Sequence, residues 1–342
     1  MLRVLYLSDS AYMHNPSFNH PENPKRVQRV MNTLRNLGFS WEDITTTSVD
    51  RGESLKLAER IHAKGYLEYL VKLSQKAPAL VDEDTYFSKD SLELALSAFY
   101  YSYSVALSSS RTPVFIVLRP PGHHAGKGGK AMGASTQGFC LLNNAAAAVL
   151  GFEDAGFKNI AVVDFDAHHG NGTMEIFYKT RILQLDLHQD PDTLYPHTGY
   201  PDQLGEGEGF GYKLNLILPP SSGDDLFTVL VSKVQSALEH YAPEALVISA
   251  GFDGYINDGL ADLSLTEVSY YSIGRVLAEL EVPTVVVFEG GYGIGLERGV
   301  RAFVEGLARV EKQYKVTTRT PPLLYRKAVE TAGRVLSKMR VR

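Results

Sequence analysis

Residues 162–173 read VVDFDAHHGNGT, preceded by Asn159-Ile160-Ala161. A short apolar, β-branched run ends abruptly in two acids, two adjacent histidines and two glycines. Burying that many ionisable groups at a strand end costs several kcal/mol unless a metal ion, a hydrogen-bond network or water compensates. The same arrangement recurs along the chain. RPPGHHA follows the apolar run at 112–119, LHQDP follows 182–186, GFDG follows 245–250 and EGGYG follows 282–288. Near-continuous apolar runs are expected of strands covered on both faces in a parallel sheet. Such sheets bind ligands at the carboxyl ends of their strands. Five chemically loaded strand ends therefore point to one shared rim.

Outward from that rim, strands are predicted at 3–8, 112–119, 159–166, 182–188, 245–253 and 282–291. Helices are predicted at 24–37, 91–109, 143–155, 224–241, 266–280 and 295–312, with Asn143 or Asn144 capping the third and Thr266 preceding the fifth. Strand–helix alternation gives a doubly wound α/β fold with right-handed crossovers. No linker-like break interrupts residues 1–342, so a single domain is expected.

The chain has 342 residues, 44% apolar and 21% charged, a globular composition. With 34 Lys+Arg against 39 Asp+Glu the formal charge is −5, without the basic stripe that direct nucleic-acid binding requires. Cys140 is the only cysteine, which excludes an intramolecular disulfide and any multi-cysteine metal site. The opening MLRVLYLSDSAYMH is too short an apolar run for a secretory signal and is broken by Asp9. No stretch approaches the ~20 apolar residues of a membrane span. A cytoplasmic protein is expected. The locally basic LLYRKAVETAGRVLSKMRVR at the C-terminal end reads as an amphipathic helix with a solvated face.

Asp166 and His168, two apart on an extended segment, project to one side. Asp-x-His alone is weak, because surface aspartates and histidines are common. Asp253, at the end of the run ALVISAGFD, supplies a third ligand. Two carboxylates and one imidazole leave a position for water and substrate, as a catalytic rather than structural site requires. His123 and His124 could be a solvent-facing pair in a Pro-Gly turn. Against that, Asp164 and Asn171 flank the proposed ligands, and histidines that move protons need one nitrogen fixed by such a partner. One charged and one neutral partner would give the pair different basicities. Tyr292 follows Glu289-Gly290-Gly291, where glycines let a phenol lean over a site; its plain alternative is an exposed aromatic in a turn. Phe139 and Tyr195 would by themselves be core or loop aromatics. Residues 196–212 form too long and Gly-rich a connection to be only a connection. Asp82-Glu83-Asp84 reads as a solvated loop, and His169 and Cys140 as structural.

Taken together, HNPSFNHPENPKRV, RPPGHHA, QGFCLLNNAAAAV, DFDAHHGNGT, LHQDP, GFD with DGLADLSLT, and EGGYG resemble the zinc-dependent histone deacetylase superfamily over residues 14 to 300. Its class II branch, which includes deacetylase-like amidohydrolases and acetylpolyamine amidohydrolases, matches RPPGHHA and HHGNGT. The resemblance implies a three-layer αβα sandwich of the arginase/deacetylase type. It further implies one Zn²⁺ per chain on Asp166, His168 and Asp253, with His123 and His124 bonded to Asp164 and Asn171. Tyr292 would donate to the substrate carbonyl. Phe139, Tyr195, Leu260, Gly138 and Gly291 would contact substrate, and Arg26 would line an internal channel. A K⁺ ion would lie near Asp164 and Asp186, although Asp186 stands where many relatives have serine.

The implied activity is removal of acyl groups from lysine side chains or from polyamines and related small amines. Leu260 stands where one polyamine-specific subgroup carries an acid, which weighs against that design. An arginase-like two-metal site would need a second acid after D-A-H, and Gly170 follows His169 instead. A catalytically inactive acyl-lysine binder should have lost a ligand or the phenol, and all are present. Oligomeric state is left open.

Overall fold

The computed structural model describes residues 2–340; of the C-terminal basic segment, 341–342 lie outside the described residues, as does Met1. The strands are β1 (Arg3–Leu7), β2 (Trp41–Ile44), β3 (Ala79–Leu80), β4 (Tyr86–Phe87), β5 (Val114–Val117), β6 (Ile160–Asp164), β7 (Leu183–Gln189), β8 (Lys213–Leu218), β9 (Ala245–Ala250) and β10 (Thr284–Phe288). The helices are α1 (Lys25–Asn36), α2 (Arg51–Ala58), α3 (Lys64–Ser74), α4 (Ser91–Leu107), α5 (Asn144–Asp154), α6 (Asn171–Phe177), α7 (Asp224–Tyr241), α8 (Glu267–Ala278), α9 (Arg298–Leu307) and α10 (Pro322–Leu336).

Eight strands form one sheet in the order β2-β1-β5-β10-β9-β6-β7-β8, every neighbouring pair parallel. β3 and β4 make a separate antiparallel pair. Alternation along the central strands sends side chains to two cores. Val4, Tyr6, Phe115, Val117, Val163, Val286 and Phe288 pack under α1, α7, α8 and α9. Leu5, Leu7, Val114, Ile116, Val162, Val285 and Val287 pack under α4, α5 and α6. The expected helix–sheet–helix layering follows from this period-two division.

The order of strands positions the site. The chain builds outward from β1 to one edge and from β6 through β8 to the other, and only then do β9 and β10 enter the middle. β9 pairs with β6, and β10 pairs with β5. The segment after β9, carrying Asp253, therefore lands beside Asp164–His168. The Glu289–Gly293 turn lands beside the Pro120–His124 turn.

Asn143 is the residue that caps α5, its side chain accepting from Ala146 N at 2.8 Å. Thr266 makes no such cap; its hydroxyl donates instead to Asp224 Oδ2 at 2.7 Å. Two edge strands escape the sequence reading. β2 is the largely exposed, polar WEDI. β8 carries Lys213 and Asn215 inside a buried run. Lys213 Nζ donates to the carbonyls of Ile182 (2.5 Å) and Thr180 (3.2 Å). Asn215 Nδ2 donates to Tyr200 O at 2.9 Å. The donors of both side chains are met by carbonyls of the loops that border them, which helps a buried strand tolerate them, although Asn215 Oδ1 has no partner among the described residues. The basic C-terminal segment is not merely a solvated helix: α10 buries Ala328, Ala332 and Val335 against the core beside β8 and α7.

Candidate active site

β6 ends at Asp164, and the next four residues turn across the rim. Asp166 is fixed by two backbone donors, His168 N to Oδ1 (2.9 Å) and Gly290 N to Oδ2 (2.7 Å). Asp253 is fixed by Ala167 N to Oδ1 (2.9 Å). With these bonds made, His168 Nδ1 stands 3.1 Å from Asp166 Oδ1 and 2.9 Å from Asp253 Oδ2. The three residues can each offer one ligand atom within 4.8 Å of the others. Two buried carboxylates converging on one imidazole demand positive charge at the centre. Burial disfavours a proton on His168, but Asp253 and then Asp166 outweigh it and raise the imidazole to about 10. A nitrogen and two carboxylate oxygens, arranged from a strand end with one side open to a cavity, fit a divalent zinc ion. No residue beyond them is needed to complete the protein's share.

The neighbouring histidines are set apart by their partners. His123 Nδ1 donates to Asp164 Oδ2 at 3.0 Å, and His124 Nδ1 lies 2.8 Å from Asn171 Oδ1. Asn171 is oriented by its own amide, which donates to Ala131 O at 3.0 Å. Its oxygen therefore faces His124, which must carry its proton on Nδ1 and leave Nε2 bare. The two ring centres lie 4.0 Å apart, with the planes tilted at 44°. Burial would lower both imidazoles. For His123 the carboxylates of Asp164 and Asp166 overcome it and hold the group well above its usual range. For His124 burial is reinforced by the charges of His123 and His168, and the group falls well below it. The two imidazoles are thereby set apart in basicity, with His123 the more basic.

A cavity of about 360 Å³ opens over these groups, lined among others by His124, His168, Gly138, Phe139, Tyr195, Leu260 and Tyr292. Phe139 stands edge-on to Tyr292 at 6.0 Å, and Tyr195 edge-on to His124 at 5.0 Å. The Tyr195 hydroxyl donates to Thr136 O at 2.9 Å. Gly138 has φ +53°, and a Cβ there would lie 2.5 Å from His124 Cδ2 and 2.8 Å from Tyr195 Cε1. Only hydrogen fits where the rim backbone meets both rings. Burial pushes the Tyr292 phenol well above its usual range, so it stays a donor.

Gly291 and Arg26 lie behind Tyr292 rather than on the cavity wall. Arg26 is buried, donates to Gly291 O at 2.7 Å and to Glu289 O, and its guanidinium carbon sits 4.7 Å from the Tyr292 ring centre. Asp186 is the register partner of Asp164 across β6 and β7. Its Oδ1 is met by His188 Nδ1 (2.7 Å) and its Oδ2 by Gly170 N (3.0 Å).

His169 is buried, its Nδ1 2.8 Å from Thr198 Oγ1, in keeping with a structural part. Cys140 is closer to the chemistry than the sequence suggests, grouped with His123 and Glu289. Burial pushes its thiol well up, which makes it a poor ligand. The acidic run at 82–84 is not a detached solvated loop. Glu83 and Asp84 line the cavity mouth. Asp84 Oδ2 accepts from Thr136 Oγ1 (2.5 Å) and Asp82 Oδ2 from Gln137 N (2.8 Å). These bonds stitch the loop to the rim that carries Gly138 and Phe139. The sequence reading also passed over Asp258, which accepts from Tyr292 N and Gly293 N. No local pattern signals either partnership.

The family model described as the histone deacetylase domain matches residues 20–307. A probable deacetylase of Archaeoglobus fulgidus is 34% identical over 86% of this chain and 82% of its own. Among solved structures, the HDA15 HD domain superposes with a TM-score of 0.83 at 26% identity, covering 97% of this chain and 95% of that one. An acetylpolyamine aminohydrolase from Burkholderia pseudomallei superposes with a TM-score of 0.77 at 29% identity, covering 90% and 98%. A parallel sheet of this order, matched by sequence and by shape over most of its length, leaves one assignment: the chain belongs to the histone deacetylase domain family and is a deacetylase of the amidohydrolase kind.

Proposed function

We propose that this deacetylase holds one zinc ion on Asp166, His168 and Asp253 and removes acetyl or other acyl groups from lysine side chains or related acylated amines. The observation that carries the reading is the pairing of that donor set with two adjoining histidines of opposite tendency beneath an aromatic-walled cavity. The bound ion would supply Lewis acidity to the acyl carbonyl and to the attacking water. His124 Nε2 accepts the water's proton and returns one to the departing amine. His123 keeps its proton against Asp164 and contributes a fixed positive field. The Tyr292 hydroxyl donates to the developing oxyanion, an interaction worth ~3–4 kcal/mol for one well-placed donor. Phe139, Tyr195, Leu260 and Gly138 admit a slim neutral acyl-amine stem, while a charged free amine loses more hydration there. Gly291 and Arg26 support the phenol from behind.

An acylated polyamine is the favoured substrate within that class. Glu83 and Asp84 stand at the mouth, and among the described residues no lysine or arginine lines the cavity. A second, distal ammonium on the substrate would be drawn to that rim. The Burkholderia structure similar to this chain carries the name of such an enzyme. At the expected potassium position both Asp186 oxygens already take donors from the chain, so no step is derived from a monovalent cation there. A single catalytic domain in the cytoplasm completes the reading; among the described residues no helix is long and apolar enough to cross a membrane.

The test is metal content together with kcat/KM on an acetyl-lysine peptide and on acetylputrescine. Zinc-dependent hydrolysis with acetylputrescine ahead is expected. A zinc-replete protein that cleaves neither substrate would favour an acyl-amine binder instead.

A further inference from the structure

Tyr292 stands in EGGYG (289–293), where three of five residues are glycine. Such a backbone has little conformational preference of its own. Its geometry has to be imposed from outside, and a carboxyl and a guanidinium do so from two sides. The Asp258 carboxylate accepts from Tyr292 N at 2.9 Å and from Gly293 N at 2.5 Å. The Arg29 guanidinium donates to Tyr292 O at 3.0 Å and to Gly293 O at 2.7 Å. Arg29 is itself squared up by Glu297, at 2.6 and 2.8 Å. Every N–H and C=O of Tyr292 and Gly293 is thereby held by the Asp258 carboxyl, which burial raises to about 7, or by the Arg29 guanidinium. Gly293 is pressed against Asp258 so closely that a Cβ would come within 2.8 Å of the Asp258 Cα.

Asp258 also belongs to the segment that runs from Asp253 to Leu260. It therefore ties the phenol's backbone to the stretch that carries one proposed zinc ligand and one rim residue. We infer that Asp258 and Arg29 are positioning residues for Tyr292: they fix where the phenol stands relative to the reacting carbonyl without touching substrate. This rests on the proposed role of Tyr292 as donor. A donor aimed at a charge that exists only in the transition state has to be placed in advance, and an error of about 1 Å costs on the order of 100-fold.

The experiment is a double-mutant cycle on the zinc-loaded full-length protein, with acetylated substrate. D258N keeps the shape of Asp258 but removes its capacity for negative charge and leaves a single neutral amide oxygen to receive both backbone donors. It is expected to lower kcat by on the order of 100-fold with KM changed by less than about twofold, the signature of a contact made only in the transition state. In a Y292F background, where the hydroxyl is gone, D258N should change kcat by less than about twofold, because residues acting through one group are not additive. R29M, approaching from the other side of the turn, should behave alike, and R29K should recover part of the loss. Zinc content and melting temperature are measured for each variant. Losses that multiply in the double variants, or D258N and R29M proteins that fold and keep wild-type kcat, would overturn the inference. If D258N does not fold, the R29M arm decides alone. A Y292F protein as fast as wild type would instead sink the proposed role of the phenol, and the two failures are thereby distinguished.

Discussion

Two buried regions of this protein are equally rich in charge and use it in opposite ways. Beside α1, Glu22 is fully buried and accepts from Arg119 Nε (2.5 Å), Arg119 Nη2 (2.7 Å) and the Tyr86 hydroxyl (2.7 Å). The remaining Arg119 donors reach the carbonyls of Ser10 (2.8 Å) and His14 (2.7 Å). Burial would raise the Glu22 carboxyl, yet Arg119 holds it far below the usual range. Every charge there has its opposite within the chain. At the rim, Asp164, Asp166 and Asp253 lie together, and Asp253 is raised by burial and by Asp166. That set does not close on itself. Breaking a closed set leaves a buried charge uncompensated, whereas an open set of carboxylates and imidazoles is where a fold can take up an ion and do chemistry.

The sharpest way to break this contrast is to remove a ligand from the open set. D253A is expected to lose zinc and to drop turnover to background while remaining folded, because it relieves carboxylate crowding rather than creating it. A D253A protein with full zinc content would refute the three-ligand centre. Next in size, Y292F should lower kcat by about 10²–10³-fold at unchanged zinc content, the loss found for a single oxyanion donor. The closed set should answer differently. R119M leaves Glu22 buried without its main partner and should destabilise folding by about 3–5 kcal/mol in urea, with little effect on zinc affinity per folded molecule.

A smaller effect follows from pH. Burial lowers His14 to about 3 and His62 to about 4. A group depressed in the fold binds its proton more readily when unfolded, so its contribution is fully present above the unfolded value of about 6.5 and is lost as pH falls towards 3–4. Urea midpoints at pH 7.5 and 5 should show that loss, and a flat profile would argue against neutral buried histidines. Smallest of all, E83Q at the exposed mouth should weaken kcat/KM for acetylputrescine by only a few fold and lose even that at high salt, as screened surface charges do.

How much of this was legible beforehand depended on distance along the chain. The central strands were readable because cover on both faces makes them continuously apolar, as in β6 and β9. β2 and β8 were not, since one is exposed and the other hides a lysine and an asparagine whose partners lie in separate loops. At the site, the two-residue spacing of Asp166 and His168 is a weak signal that gains weight from Asp253, which follows the apolar run of β9. Asp84 and Thr136 are 52 positions apart, and Arg29 and Tyr292 are 263 apart. A bond between such residues has no periodicity to announce it; only the folded sheet brings its ends together.

The late entry of β9 and β10 into the middle of the sheet has a consequence for biosynthesis. A nascent chain that has emerged only as far as β8 contains both histidines of the dyad and two of the three ligands, yet has a gap between β5 and β6 where the remaining parts belong. On the proposed reading, catalytic competence would arrive only once β9 and β10 have filled that gap, and a polypeptide released before Asp253 and Tyr292 have been added would be inert towards amides.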